Sequence, residues 1–201
     1  MRSNFTDYMV LAPAAQKNAA DLYLQMGLLE RRYNEPHRYY HTLGHIDNGY
    51  KQHEKFFGNM DAVMFFAWTY HDGIYDPRAS DNEERSAKLF LEDNAKIGFG
   101  MEDADRVAMY ILSTAHLGEK NVITDIDLSG LGSSPKAYAK NTRLIRQEYS
   151  FVDDPTWKAG RSAFLERFMS GPIYITPQFV AAYEEQAQAN LAHELAEFAL
   201  Q

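Results

Sequence analysis

The run AVMFFAW at residues 62–68 is the feature that most constrains the fold. It falls far short of the roughly 20 apolar residues a membrane span needs, so it reads as a helix buried in a protein core. Asp61 stands in front of it as a helix cap, and the element ends near Gly73. The residues just before that glycine are His71 and Asp72. Two polar groups at the rim of a buried helix are costly unless something satisfies them.

Helical periodicity continues on both sides. The segment from Asn18 to Tyr33 carries an apolar stripe of Leu22, Leu24, Met26, Leu28 and Leu29; Pro36 interrupts it and a new element starts near Tyr39. GIYDPRASDNEE, residues 73–84, is rich in turn formers and reads as a loop. Further helices are expected over about 82–94, 103–115, 135–150, 155–169 and 177–200. Pro135, Pro155 and Pro177 fall in first turns, where a missing N–H costs little. ITDIDLSGLGSSP, residues 123–135, reads as irregular or a short turn. Val122 to Ile126 is the best strand candidate, but it is too short and isolated to build a sheet. The expectation is therefore an all-α chain forming one helical domain over residues 1–201.

Composition narrows the chemistry. With 201 residues the chain can bury a sizeable core, and with no cysteine it has no thiol catalysis, thiolate metal site or disulfide. Its 20 basic and 28 acidic side chains give a net charge of -8, unfavourable for phosphate backbones, so no DNA or RNA duplex partner is expected. MRSNFTDYMVLAPAAQ lacks the long apolar core of a signal peptide, and no segment reaches membrane-spanning length. A cytoplasmic chain with no membrane association is the expectation.

Seven histidines are candidates for chemistry, and His37, His41 and His45 fall close together. His41 and His45 are four apart and would share a face on a helix. A divalent ion would satisfy the His71-Asp72 pair, and imidazole with carboxylate suits Zn, Mn, Fe, Co or Ni rather than Ca. Such an ion with open positions activates water and polarises a phosphoryl oxygen. Beyond the pair stand Asp76, Asp81, Asn82, Glu83, His116, Asp125 and Asp127. Arg38 and Arg161 are candidate clamps for a substrate phosphate. His116 either contacts a phosphate or caps its helix, and Glu83 either serves the site or favours the positive end of a helix. Tyr39, Tyr40, Tyr70 and Tyr75 form either core or a base-stacking wall. His53 and His193 are expected on solvated helix faces, with His37 flanking the site.

Read in order, RYYHTLGHI (38–46), FAWTYHDGIYD (66–76), DNEERSA (81–87), STAHL (113–117), DIDLSGLG (125–132), IRQEY (145–149) and the Asn190-Leu191 to Glu194 stretch resemble the HD superfamily of metal-dependent phosphohydrolases. They are most similar to its small bacterial branch. The resemblance implies an HD-type helical bundle with a metal-site core over about 36–132 and C-terminal helices over about 135–200. It implies His45, His71, Asp72 and a late aspartate as metal ligands. Asp125 and Asp127 would point apart on a helix; the family's Asp-Leu context favours Asp127, with Asp125 as a supporting group or cap.

By the same resemblance His41 is the proton donor to the leaving group, and Asp76, with Glu83 as alternative or partner, orients the attacking water. The cofactor would be Mn, Zn, Fe, Co, Ni or Mg. The implied activity is hydrolysis of a small phosphate ester, a nucleotide above all. A cyclic-nucleotide or guanosine-polyphosphate hydrolase, or a non-catalytic metal- or nucleotide-binding helical module, is the alternative.

Overall fold

The computed structural model describes residues 18–200. The expectation concerning the leader lies on residues 1–16, outside the described residues. Among the described residues there are nine α-helices, one 3-10 turn and no strand, so the chain is all-α as its periodicity predicts. None of these helices is long and apolar enough to cross a membrane.

The described chain divides into two compact units between Glu119 and Lys120. The first contains α1 (Ala19–Tyr33), α2 (Leu43–Phe57), α3 (Ala62–Tyr70), α4 (Asn82–Ile97) and α5 (Met101–Ser113). The short apolar helix α3 lies at its centre and packs against α2, α4 and α5, while α1 packs on α4. Every residue from Val63 to Tyr70 is buried. Asp61 caps α3 as the sequence predicts, accepting from Met64 N at 2.8 Å.

The segment between α1 and α2 is not helical, so the element expected near Tyr39 starts instead at Leu43. Thr42 is the reason: its hydroxyl accepts from Gly44 N at 3.2 Å and sets the N-cap there. His41 and His45 are therefore not on one helix face; His41 precedes the cap and His45 lies in the first turn.

The second unit contains α6 (Val122–Leu128), a 3-10 turn (Ser129–Gly132), α7 (Pro135–Glu148), α8 (Asp154–Met169) and α9 (Pro177–Ala199). Residues 122–132, read from sequence as irregular or as a lone strand, are helical. Asn121 accepts from Ile123 N and Thr124 N while the Thr124 hydroxyl accepts from Asn121 N, a reciprocal cap that outweighs the β-branched composition. Ile123, Ile126 and Leu128 then face inward. The 3-10 turn lies directly on α9: a Cβ on Gly132 would come within 2.5 Å of Tyr183 Cβ. Pro135, Pro155 and Pro177 all occupy first turns.

Candidate metal centre

Two local structures in the first unit bring the ligand atoms together. The Thr42 cap places His45 in the first turn of α2, where it is buried. His71 is the C-cap of α3, and Gly73 N closes the following turn on Tyr70 O at 2.8 Å, so Asp72 is held beside it. His45 Nε2 and His71 Nε2 are 3.3 Å apart. Asp72 Oδ2 is 3.1 Å from His71 Nε2 and 3.7 Å from His45 Nε2. Among the described residues these three form the one group of ligand-type side chains close enough to share an ion.

Their spacing fits a first-row divalent ion. Ligands about 2.1 Å from a common zinc-like ion stand about 3.4 Å apart in a tetrahedral array and about 3.0 Å apart at neighbouring octahedral corners. The observed edges of 3.1, 3.3 and 3.7 Å bracket the tetrahedral value, and the shortest is close to the octahedral one. Tautomer chemistry agrees. His71 Nδ1 lies 2.7 Å from Trp68 O, and a carbonyl can only accept, so Nδ1 carries a proton and Nε2 is the ring nitrogen left to serve as a ligand. Asp72 Oδ2 is buried with no aligned hydrogen-bond donor, although imidazole nitrogens flank it. Burial alone would raise the Asp72 carboxyl, but the imidazoles of His71, His41 and His45 outweigh it and hold the carboxyl well below the usual carboxylate range.

Trp68 fixes the two imidazoles. Its ring stacks on His71 at 4.2 Å and lies 5.0 Å from His45, and its Nε1 donates to Ile46 O at 2.8 Å. Only glycine fits beneath it at position 49, where a Cβ would fall 2.0 Å from the indole. In sequence Trp68 belongs to the apolar run that fills the core; its place three residues before His71, one helical turn away, is the signal for this second role.

His41 is half-buried, edge-on to Tyr40 at 4.9 Å and 5.8 Å from His45 between ring centroids, with Tyr75 at 4.3 Å. Tyr75 and Tyr40 thus flank the site, Tyr39 is exposed, and Tyr70 is core, its hydroxyl donating to Asp93. His37 is exposed, 2.8 Å from Tyr75 O. Asp76 is exposed and closes its own turn by accepting from Arg78 N at 2.9 Å. Glu83 lies half-buried in the first turn of α4, where a helix start favours an acid. His116 follows α5, half-buried, in left-handed backbone at φ 55°. His193 is exposed beside Glu197, as expected. His53 departs from expectation: it is buried, its Nδ1 sits 3.0 Å from Gly58 O, and its ring lies against Phe57, because the C-terminal end of α2 turns beneath it. Burial pushes the His53 pKa down.

The two candidate phosphate clamps are committed elsewhere. Arg38 is buried against backbone carbonyls of its own unit. Arg161, in the second unit, pairs with both oxygens of Glu194 at 2.9 and 3.0 Å, and Tyr138 also donates to Glu194. Asn190 donates to Leu131 O and Ser133 O, so the Asn190 to Glu194 stretch ties its unit together. Asp125 is buried and accepts from Ile175 N, Thr176 N and the Thr176 hydroxyl, which secures the start of α9. Asp127, the expected last ligand, is half-buried on α6 in the second unit.

Comparisons with protein-family models, with curated proteins and with solved structures return no match.

Proposed function

We propose that the protein is a metal-dependent phosphohydrolase acting on a small phosphate ester, a nucleotide above all. The observation that carries this reading is the convergence of His45 Nε2, His71 Nε2 and Asp72 Oδ2 at ligand spacing. Three protein ligands leave coordination positions for water and substrate, the arrangement of catalytic rather than structural metal sites. A divalent ion held there supplies Lewis acidity, lowering the pKa of water and polarising the phosphoryl oxygen.

The chain's own residues would do the rest. Trp68 O holds the proton on His71 Nδ1 and so keeps Nε2 available as a ligand. His41, half-buried beside His45, is placed to give a ring N–H proton to the leaving oxygen as the P–O bond breaks. The new P–O bond comes from water, whose proton passes to a carboxylate, Asp76 or Glu83. The Tyr40 and Tyr75 rings beside His41 add aromatic surface at the rim of the site.

The test is a screen of phosphate monoesters, nucleotides and cyclic nucleotides with Mn, Co, Ni, Zn and Mg. Hydrolysis by the wild type, lost by at least about a hundredfold in His71→Ala and Asp72→Ala with helicity retained, is the expected result. Metal uptake with no turnover of any ester would refute the hydrolase reading in favour of a metal-binding module.

A further inference from the structure

We infer that Arg38 is a positioning residue: its buried guanidinium locks the segment bearing His41 to the turn bearing Asp72, and so sets the spacing between the proton donor and the ligand group. The inference rests on the metal-centre reading above and concerns residues of the first unit alone.

The C-terminal end of α3 is buried. A helix end leaves carbonyls without intrahelical partners, and a buried one must satisfy them otherwise. Here Trp68 O faces His71 Nδ1, Thr69 O accepts from the Tyr33 hydroxyl at 2.8 Å, and Tyr70 O accepts from Gly73 N. The carbonyls of Asp72 and Gly73 complete the end, and both accept from Arg38, at 2.8 and 3.5 Å.

The same Nη1 that donates to Asp72 O also donates to His41 O at 3.2 Å. One nitrogen thereby joins the backbones of the candidate acid and a candidate ligand, which lie far apart in sequence. Nε donates to Glu35 at 3.2 Å, which fixes the fork from behind. The Tyr33 and Tyr75 rings stand 5.1 and 5.3 Å from the guanidinium carbon, and the side chain is 0% exposed. Tyr75 also packs on His41, so the plate beside the guanidinium is the plate behind the acid.

A planar fork with several fixed donors makes these bonds together, and the flexible ammonium of lysine does not reproduce them. Its donors point at protein carbonyls and Glu35 rather than at an incoming anion. A clamp for substrate phosphate would need some of them exposed.

The experiment compares wild type with Arg38→Lys and Arg38→Met in the full chain. Each protein is checked for helicity by circular dichroism, titrated with Co2+ while the visible absorption is followed, and assayed for kcat, KM and inhibition by inorganic phosphate. Arg38→Lys is expected to fold and to take up Co2+ with a displaced spectrum and affinity about tenfold weaker. Its kcat is expected to fall about a hundredfold, with KM and phosphate inhibition within about twofold of wild type. Arg38→Met controls for the loss of charge and should show the same split.

A wild-type Co2+ spectrum with phosphate inhibition weakened tenfold or more would overturn the inference and make Arg38 a substrate clamp. A lower melting temperature with wild-type spectrum and kcat would reduce it to a scaffold residue. If the wild type takes up Co2+ but cleaves no ester, the hydrolase reading fails, and the spectrum and affinity alone decide Arg38. If it takes up no Co2+, both readings fall together.

Discussion

At the residue scale, the centre depends on atoms that a sequence displays and on neighbours that it conceals. His71 and Asp72 stand out because they end the most apolar helix, and His45 because it closes the cluster of His37, His41 and His45. The indole plate against both imidazoles, the proton on His71 Nδ1 and the close approach at Gly49 arise from packing, which no linear pattern encodes. Arg38 shows the same limit: an arginine near histidines suggests a phosphate clamp, and only burial reveals donors fixed on carbonyls. Gly49 gives a direct prediction. Gly49→Ala forces the indole of Trp68 to move, because its new Cβ would sit 2.0 Å from the ring. Overpacking of this kind costs about 1–3 kcal/mol. Thermal melting should show that loss, and Co2+ affinity should fall with it, since the indole sets both imidazoles.

At the element scale, helices with a strong stripe or a first-turn proline were legible to within a few residues. The stretch 122–132 was not, because β-branched residues favour strands locally while a cap and three inward apolar residues favour a helix. Asn121→Ala should therefore remove about 1 kcal/mol of stability, measured by denaturant unfolding, by undoing the reciprocal cap. The start of α9 offers a second prediction. Glu184 accepts from Ile173 N and Tyr174 N, both at 3.0 Å, and from Gln188 at 2.9 Å. Burial works against the ionised Glu184, but the Gln188 and backbone N–H bonds prevail and lower its pKa from the ordinary 4.5. The folded state thus holds its proton less tightly than the unfolded one. Its stabilisation is complete above about pH 4.5 and is lost as the pH falls through the lowered value. Unfolding of Glu184→Gln should be less acid-sensitive than wild type below that pH; an unchanged acid profile would remove Glu184 from the account.

At the scale of the whole molecule, the all-α class follows from dense helical periodicity without a partnered strand, and the structure bears it out. The division between Glu119 and Lys120 gave no sequence signal, since no glycine-, proline- or serine-rich linker marks it. All three atoms of the candidate centre belong to the first unit, so the central claim is local: His45, His71 and Asp72 bind one divalent ion. Metal stoichiometry tests it most directly. Full-length wild type, His71→Ala and Asp72→Ala would be stripped with chelator, loaded with Co2+ or Zn2+, desalted and analysed for metal. About one ion per chain is expected in the wild type, since three ligands at this spacing define a single site, and almost none in either variant while both remain helical. Equal metal in all three proteins, or none in the wild type, would contradict it.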